Sequence, residues 1–162
     1  MTDGTAPFRT TVRVRYAETD QMGVVYYANY LVWFEIGRVE FLRQLGFDYK
    51  QMEVADDCML PVVEAICRYK APAQYDDLIV IETRVTAMRT SMLKFSYEVY
   101  RAETIDGTPV AGKLLASGET SHVIVGYGMQ KTVLPEKYAS VIRATLGPLV
   151  DEENLPTIPG VD

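Results

Sequence analysis

Asp20 stands directly before an aromatic run without charges, an arrangement that can do acyl chemistry. The run covers residues 21–34 and reads QMGVVYYANYLVWF. A helix that begins inside this run leaves its first N–H groups unpaired and partly positive, so they can hold a carbonyl oxygen that becomes an oxyanion. A carboxylate just upstream can then attack that carbonyl or activate water. The residues alone leave a second interpretation open, because Asp is also favoured at helix N-caps and in turns.

Two further carboxylates lie among apolar residues and compete with Asp20 for the role of base. Glu35 lies in the middle of the apolar segment, and Glu64 lies in a segment rich in Val and Ile. A buried Glu whose pKa is raised by desolvation can act as a base. Glu35 can equally form a structural ion pair with Arg38 or Arg68. We expect the ion pair for Glu35 and a position in the pocket wall for Glu64.

The remaining reactive side chains favour structural roles. His122 is the one histidine, and it alternates with Thr120 and Ile124 in a predicted strand, where a lone His is more often a satisfied structural residue. Cys58 and Cys67 have no second pair of cysteines, so their spacing indicates neither a zinc cluster nor a disulfide framework. Both are expected to be free buried thiols, and no metal or redox cofactor is implied.

A strand and a long helix are predicted to position Asp20. Residues 8–16 alternate between two faces, which predicts a half-buried strand. Its apolar face holds Phe8, Thr10, Val12, Val14 and Tyr16. After a loop at residues 18–23, apolar residues recur at helical spacing at Val25, Ala28, Val32, Ile36, Val39 and Leu42. The remaining faces hold Tyr27, Leu31, Trp33, Phe34 and Phe41. We therefore expect a largely buried helix, apolar nearly all round and ended by Gly46.

Four more strands are predicted after this helix. They cover residues 59–69, 79–88, 93–100 and about 112–125. The turns between these elements lie at Asp56-Asp57, Asp76-Asp77, Arg89-Thr90-Ser91 and Asp106-Gly107. Small residues at positions 116–118 let a helix approach the last strand closely. Residues 135–146 are predicted as a short C-terminal helix.

This order of elements predicts an α+β fold. An antiparallel five-stranded sheet that curls around one long buried helix satisfies the order. Such a sheet leaves the backbone groups of an edge strand unpaired, and in many proteins the edge strands of two copies pair with each other. We therefore expect a homodimer or a larger assembly.

Length and composition are those of one globular domain. The 162 residues are 48% hydrophobic and 23% charged, and we expect a single domain over residues 1–146 and a Pro-rich acidic tail over residues 147–162. The net charge of −6 argues against a protein that binds along a nucleic-acid backbone. Residues 21–34 are too few and too polar to span a bilayer, and the N-terminus lacks the features of a signal peptide. A cytoplasmic location is therefore expected.

The residues around Asp20 resemble the signature of a known family. They read RYAETDQMGVVYYANY at positions 15–30, followed by FEIGR at positions 34–38. The likeness continues through RYKAPAQYDD at positions 68–77 and FSYEVYR at positions 95–101. Together these segments resemble the 4-hydroxybenzoyl-CoA thioesterase branch of the hotdog-fold acyl-CoA thioesterases, which includes the acyl-CoA thioesterases encoded with the Tol-Pal system. The resemblance covers roughly residues 8–140.

The resemblance implies a catalytic role for Asp20. In that family the matching Asp acts as nucleophile or general base on the thioester, and the backbone N–H at the position matching Tyr27 binds the thioester oxygen. Gly23 would let the loop pass close to the acyl group. Members that act on short aliphatic acyl groups often carry His at the position of Tyr27, whereas the hydroxybenzoyl enzyme carries Tyr. Tyr27 therefore favours an aromatic substrate.

The resemblance also suggests substrate contacts. Val24, Tyr26 and Tyr30 are expected to line the acyl pocket, although aromatic residues on a buried helix also serve as core. In the family the nucleotide lies on the surface, often across the subunits of a homodimer or homotetramer. The candidates for contacts with the CoA phosphates are Arg89, Ser91 and Lys131. The alternative for each of them is an ordinary polar residue on the solvated surface with no role in binding.

The function predicted in this way is hydrolysis of an acyl-CoA thioester to free acid and CoA. A thioester is already activated, so one carboxylate with an oxyanion site suffices without a His. Two alternatives remain. One is another acyl-thioester reaction on the same fold, such as a dehydration, which relies on a His with a carboxylate. The other is a noncatalytic acyl-CoA-binding or assembly module.

Overall fold

The computed structural model describes residues 6–146, and the predicted tail over residues 147–162 lies outside the described residues. The strands of this part of the chain are β1 (Phe8–Arg13), β2 (Val62–Tyr69), β3 (Leu78–Arg89), β4 (Met92–Ile105) and β5 (Thr108–Val123). The α-helices are α1 (Asn29–Gln44), α2 (Tyr49–Val54) and α3 (Glu136–Ala144). Single turns of 3-10 helix span Tyr16–Glu18 and Tyr127–Met129. None of the helices in residues 6–146 is long and apolar enough to cross a membrane.

The strands form one antiparallel sheet in the order β1-β3-β4-β5-β2. Helix α1 packs on one face of this sheet, where the rings of Phe34 and Tyr97 stack with their centroids 4.4 Å apart. The predicted arrangement, five antiparallel strands around one long helix, is confirmed. Strands β1 and β2 are the two edges. Among the described residues, nothing pairs with the outer side of β2.

The turn between β4 and β5 is the one predicted at Asp106-Gly107. Both residues have positive φ, at 51° and 78°, and they join Ile105 to Thr108, which pair directly. Two successive left-handed residues make the type I′ turn that suits a two-residue hairpin. Because the hairpin is this tight, β5 begins at Thr108, four residues before the expected start.

Helix α1 buries one face only. The buried residues are Tyr30, Trp33, Phe34, Gly37, Phe41 and Leu42. Leu31 and Val32 are 41% and 44% exposed. The expectation of a helix buried nearly all round is therefore wrong for the single chain, because the sheet covers one side of the helix and leaves the other open.

The C-terminus of α1 is the predicted glycine terminator. The Gly46 N–H donates to the Arg43 carbonyl at 2.9 Å, and the Phe47 N–H donates to the Leu42 carbonyl at 2.9 Å. With a φ of +90° at Gly46, these two bonds make a Schellman motif. The motif turns the chain away from the sheet and into α2.

Two glycines let α1 lie close to the sheet. A Cβ at Gly118 would lie 2.4 Å from two ring carbons of Phe34 and 2.4 Å from the Ile66 carbonyl oxygen. The close approach predicted for residues 116–118 is therefore confirmed. On the helix side, a Cβ at Gly37 would lie 2.6 Å from Thr83 Oγ1, a contact that the sequence did not indicate.

Three local features differ from the predictions. Strand β1 ends at Arg13, and Tyr16 is 78% exposed instead of continuing the buried face, because the chain turns into a 3-10 helix there. Strand β2 begins at Val62, and Met59 only bridges to Val125. Helix α2 was not predicted. Its N-cap is Asp48, whose side chain accepts from the Lys50 and Gln51 N–H groups.

Candidate active site

A tight loop before α1 presents the Asp20 carboxylate. The Asp20 N–H donates to the Val24 carbonyl at 2.9 Å, and the Gly23 N–H donates to the Asp20 carbonyl at 3.0 Å. Gly23 has a φ of +78°, and apart from Met22, Gly23 and Val24 themselves, no heavy atom of the described residues lies within 4 Å of the Cβ that an alanine would add. Glycine is therefore favoured at position 23 by backbone conformation rather than by crowding.

One oxygen of the Asp20 carboxylate is fixed and the other is available. The Met22 N–H donates to Asp20 Oδ1 at 2.8 Å, which sets the orientation of the carboxylate. Within residues 6–146, Oδ2 has no hydrogen-bond partner. The side chain is half-buried. Such a carboxylate is oriented by its own loop and still free to meet a ligand.

The Asp20 carboxylate lines an open cavity of about 350 Å³. The residues around it are Asp20, Met22, Val24, Val25, Tyr27, Tyr30, Tyr69, Lys70, Ala71 and Pro72. Most of these side chains are apolar or aromatic, and the charged ones are Asp20 and Lys70. An apolar cavity with a few polar groups is the usual form of a small-molecule site. Of the predicted pocket residues, Val24 and Tyr30 line this cavity together with the predicted oxyanion donor Tyr27, whereas Gly23 does not line it.

The entrance of α1 forms one wall of the cavity. The Asn29 N–H donates to the Tyr26 carbonyl at 3.0 Å, and the Tyr30 N–H donates to the Tyr27 carbonyl at 3.3 Å. The N–H groups of Tyr27 and Ala28 have no acceptor among the described residues. Such N–H groups point back along the helix axis and carry its partial positive charge. They are suitable donors for a developing oxyanion.

The helix start differs from the expectation in two respects. Helix α1 begins at Asn29, so the Tyr27 N–H belongs to the turn that enters the helix rather than to its first residue. The start was also expected to be buried, but Tyr26 and Tyr27 are 46% and 60% exposed in the single chain. Tyr26 lies outside the cavity lining, and its hydroxyl is hydrogen-bonded to that of Tyr27, which raises its pKa.

Tyr69 ties the edge strand β2 to the helix entrance. Its hydroxyl donates to the Tyr27 carbonyl at 2.9 Å. Its ring meets the rings of Tyr27 and Tyr30 edge-on, with centroids 6.4 and 5.1 Å apart. Desolvation and a hydrogen bond with Cys67 raise the pKa of Tyr69, so the hydroxyl stays a donor at neutral pH. This role was not predicted, although Tyr69 lies within the quoted 68–77 segment.

Glu18 is a buried carboxylate that the sequence reasoning passed over. It is 5% exposed. Its Oε1 accepts from the Arg15 N–H at 2.8 Å, and its Oε2 accepts from Trp33 Nε1 at 3.1 Å. Its backbone carbonyl accepts from Asn29 Nδ2 at 2.9 Å and from the Tyr26 N–H at 2.8 Å. Glu18 thus joins the Asp20 loop to α1. The available signal was a charged residue two positions before Asp20.

His122 is a structural residue, as expected. It is fully buried, with Nδ1 2.8 Å from the Leu60 carbonyl and Nε2 2.8 Å from Thr120 Oγ1. Because a carbonyl only accepts, Nδ1 carries the proton and Nε2 accepts from the Thr120 hydroxyl. The Tyr97 hydroxyl then donates to Thr120 Oγ1 at 2.6 Å. Burial lowers the pKa of His122 to about 4. The ring is therefore neutral at physiological pH.

The two cysteines are free thiols. Cys58 is buried, and burial raises its pKa to about 11. Cys67 is half-buried on β2 rather than fully buried. Within the described residues, no group of three or more His, Cys, Asp or Glu side chains is placed to hold a metal ion.

The rival carboxylates lie outside the cavity. Glu35 is exposed, on the side of α1 turned away from the sheet. No ion pair joins it to Arg38 or Arg68 within residues 6–146, so the expected pair is absent from the single chain. Glu64 is also exposed. Since side chains alternate along a strand, Glu64 lies on the opposite face of β2 from Tyr69 and does not line the cavity.

Arg89, Ser91 and Lys131 come together at one end of the sheet, and we call them the far-end cluster. Arg89 is the last residue of β3, and Ser91 lies in the turn before β4. The Ser91 carbonyl accepts from the Ile124 N–H at 2.8 Å, and Lys131 forms a bridge with Val125, the next residue along. The structure thus groups the three candidates for phosphate contacts.

The far-end cluster is remote from Asp20 of the same chain. Tyr69, beside the cavity, pairs with Ala116 on β5, whereas the cluster lies past Val123 at the other end of that strand. At about 3.3 Å per residue, the separation along β5 is roughly 20 Å. One chain therefore does not bring Asp20 and the far-end cluster together.

Comparisons with known proteins agree with this geometry. The profile of the Thioesterase-like superfamily matches residues 14–143. The chain is 39% identical over 114 residues to the putative acyl-CoA thioesterase YneP of Bacillus subtilis, covering 70% of this chain and 76% of that protein. It is 39% identical over 99 residues to the acyl-CoA thioester hydrolase YbgC of Escherichia coli O157:H7, covering 61% and 73%. Slr0204, a 1,4-dihydroxy-2-naphthoyl-CoA thioesterase from Synechocystis, superposes with a TM-score of 0.75 at 25% identity, covering 87% and 98%.

Proposed function

The chain belongs to the thioesterase-like superfamily, and we propose that it hydrolyses acyl-CoA thioesters to free acid and CoA at the Asp20 cavity. The family resemblance drawn from the sequence is confirmed, and so is the hotdog-type sheet around one helix. Thioester hydrolysis is the activity named for the YneP and YbgC relatives. The observation that carries the proposal for the site is that Asp20 and Tyr27, whose N–H has no acceptor among the described residues, line one largely apolar cavity.

The reaction requires two elements, and the cavity supplies both. The thioester carbonyl lies between Asp20 and the N–H groups of Tyr27 and Ala28, which stabilise the oxyanion. In one route Oδ2 of Asp20 attacks the carbonyl carbon, CoA leaves as a thiolate, and water then hydrolyses the acyl-Asp20 anhydride to release the acid. In the other route Oδ2 takes a proton from a water that attacks the carbonyl carbon, and CoA leaves as a thiolate. Single-turnover hydrolysis in oxygen-18 water tests for the first route. Label in Asp20 indicates the nucleophile, because solvent oxygen enters that carboxylate only through hydrolysis of an acyl-Asp20 anhydride.

The cavity walls favour an aromatic acyl group. The rings of Tyr27, Tyr30 and Tyr69 meet edge to face around the cavity, and such edges pack well against another ring. The Synechocystis relative is named for an aromatic acyl-CoA. We therefore expect aromatic acyl-CoAs to have higher kcat/KM values than aliphatic ones in a substrate panel.

A homodimer, or a tetramer built from it, completes the site in this proposal. The outer edge of β2 is unpaired among the described residues. Val62 and Val63, the first two residues of β2, are each 46% exposed. In an antiparallel pair of two β2 strands, the start of one strand lies opposite the end of the other. Val62 of the second copy then lies near Tyr69 of the first, since these residues begin and end β2. The far-end cluster of the second copy is thereby carried toward the cavity, where it meets the CoA phosphates.

The test of the proposal is Asp20→Asn beside the wild-type protein. Asn keeps the oxygen that accepts from the Met22 N–H, so the loop is expected to keep its shape while the reactive carboxylate is lost. Removal of a catalytic base costs about 10²- to 10⁴-fold in rate, and we expect kcat to fall within or beyond that range. CoA thiol release is the measurement. Full turnover by a folded Asp20→Asn protein would exclude Asp20 as the reactive carboxylate.

The two alternatives predict other outcomes. A dehydration relies on a His with a carboxylate, whereas the one His is buried and hydrogen-bonded on both nitrogens, so thiol release by the wild-type protein is expected instead. A noncatalytic binding module would bind acyl-CoA without releasing thiol. A cytoplasmic location is part of the proposal. The free thiols of Cys58 and Cys67 support it, since reducing compartments preserve free thiols.

A further inference from the structure

Glu18 lies behind the candidate active site and connects its two halves. It precedes Asp20 by two residues, yet it is 5% exposed and does not line the cavity. Its carboxylate accepts from Trp33 Nε1 of α1 at 3.1 Å and from the Arg15 N–H at 2.8 Å. Both carboxylate oxygens are therefore bonded to groups of the protein. This leaves Glu18 unsuited to attack a substrate and suited to hold the loop in place.

The backbone of Glu18 makes a second connection to the same helix. Its carbonyl accepts from Asn29 Nδ2 at 2.9 Å, and Asn29 is the first residue of α1. The same carbonyl accepts from the Tyr26 N–H at 2.8 Å, one residue before the donor Tyr27. The hydrogen bonds of Glu18 with Trp33, Asn29 and Tyr26 therefore set the position of the Asp20 loop relative to the α1 entrance.

We propose that Glu18 is a positioning residue, which holds the Asp20 carboxylate at the distance from the Tyr27 N–H that the thioester reaction requires. The inference rests on the proposed function. A reaction that joins a carboxylate and an oxyanion site across one carbonyl is sensitive to their separation, and a displacement of about 1 Å can cost 10²-fold in rate. Glu18 acts through Asp20 and Tyr27 and does not touch the substrate itself.

The decisive variant is Glu18→Gln, which keeps the size of the side chain. Both oxygens of Glu18 accept from N–H donors, whereas an amide offers one acceptor and turns N–H groups toward the other donor. One connection is therefore lost. We expect kcat to fall tenfold or more while KM changes less than about threefold, because binding contacts in the cavity remain.

Two companion variants separate positioning from general stability. Asn29→Ala removes the donor to the Glu18 carbonyl at a half-exposed position and is expected to lower kcat in the same way with little loss of thermal stability. Glu82→Gln is the matched control. Glu82 is also a largely buried carboxylate, ion-paired to Arg9 at 3.0 Å on the β1 side of the sheet. This control is expected to lower the melting temperature and leave kcat and KM unchanged.

The single tryptophan of the chain gives a direct readout. The indole N–H resonance of Trp33 reports the bond to Glu18, and we expect it to shift in Glu18→Gln and not in Glu82→Gln. A shifted resonance with reduced kcat supports the inference. If Glu18→Gln lowers only the melting temperature and the folded protein keeps wild-type kcat, the inference is overturned while the proposed function stands. Absence of turnover by the wild-type protein on any acyl-CoA would overturn the proposed function, and the positioning role with it.

Discussion

At the scale of single residues, the proposed reactive groups depend on neighbours that do no chemistry themselves. Tyr69 is an example, since its hydroxyl holds the Tyr27 carbonyl at 2.9 Å while its ring lines the cavity. The peptide unit of this carbonyl also carries the Ala28 N–H. A hydrogen bond to the carbonyl therefore restrains the direction of one of the two proposed oxyanion donors.

Tyr69→Phe tests this restraint. The substitution keeps the ring and removes the donor to the Tyr27 carbonyl. A neutral hydrogen bond contributes about 0.5–1.5 kcal/mol, so we expect kcat to fall about two- to tenfold. Steady-state hydrolysis of one aromatic acyl-CoA is the measurement. Tyr75→Phe, at a ring that is 58% exposed, is the matched control, and an equal fall in both variants would contradict the restraint.

His122 makes a prediction about stability and pH. Its pKa is about 4 in the fold against 6.5 for an unperturbed His, because burial and the nearby Arg38 disfavour the charged ring. The unfolded state therefore binds the extra proton first as the pH falls. The free energy of unfolding is expected to drop between about pH 6.5 and pH 4, by about 3 kcal/mol from this group alone. Urea denaturation across that pH range measures the effect.

His122→Asn provides the comparison for that pH dependence. In the wild-type protein the Leu60 carbonyl accepts from the His122 ring. The Asn side chain can donate to the same carbonyl, but an amide does not titrate in this pH range. The variant is expected to be less stable than wild type at pH 8, since the bond with Thr120 is altered. Its stability should then vary less between pH 6.5 and pH 4. An equally steep loss in the variant would assign the acid sensitivity to other groups.

The sequence located the candidate residues better than the residues that hold them in place. The roles of Asp20 and Tyr27 stay predictions drawn from the family resemblance, and both residues line one cavity in the fold. The contact of Glu18 with Trp33 spans 15 positions, and that of Tyr69 with Tyr27 spans 42. Such pairs depend on how the loop and the edge strand pack against α1. The residue types alone do not predict which of these distant residues come into contact.

At the scale of elements, the fit of α1 against the sheet decides where the site lies. Gly118 is the closest point, since a Cβ there would lie 2.4 Å from ring carbons of Phe34 and from the Ile66 carbonyl oxygen. Contacts this short require α1 or β2 to move, because the carbonyl belongs to the backbone. The position of the helix entrance over the cavity follows from this packing.

Gly118→Ala is expected to destabilise the fold. Overpacking of a close-packed core costs about 1–3 kcal/mol, and we expect the upper end here because both neighbours are rigid. The measurement is the denaturation midpoint, with Ser117→Ala as the control at the adjacent position. A stability equal to that of the control would mean that the helix and the sheet have more room than the contact distances indicate.

The elements themselves were predicted well where the pattern is periodic. Strands β1, β3 and β4 follow from alternation and α1 follows from helical spacing, whereas β2 follows from its content of Val, Ile and Tyr. The turn at Asp106-Gly107 follows from its residue types. Helix α2 was missed because it has six residues, too few for a period to emerge. The exposed side of α1, with Leu31 and Val32, was misjudged because apolar residues there indicated burial by the chain's own sheet.

At the scale of the whole molecule, the open edge of β2 and the exposed side of α1 fit an assembly. One chain holds Asp20 and its cavity, while the far-end cluster of Arg89, Ser91 and Lys131 lies roughly 20 Å away along β5. Antiparallel pairing of two β2 strands would place the cluster of one copy beside the cavity of the other. Each proposed site is then built from two chains.

Mixed dimers test this shared site directly. Asp20→Asn removes the reactive carboxylate, and Arg89→Ala removes a proposed phosphate contact, so dimers of either variant alone are expected to be impaired at both sites. In a dimer with one chain of each kind, one site carries both changes and the other carries neither. Equal amounts of the two chains form mixed dimers in about half of the molecules, each with one intact site of two. The mixture is therefore expected to reach about a quarter of wild-type activity.

The measurement is thiol release at an acyl-CoA concentration below KM, where a lost phosphate contact lowers the rate most. The two variants are refolded together in one sample, and separately refolded variants are combined without exchange as the control. Activity that rises in the first sample and not in the second requires Asp20 and Arg89 to act across two chains. If both samples give only the mean of the separate variants, the shared site is wrong. Arg89 then acts within its own chain or has no part in CoA binding.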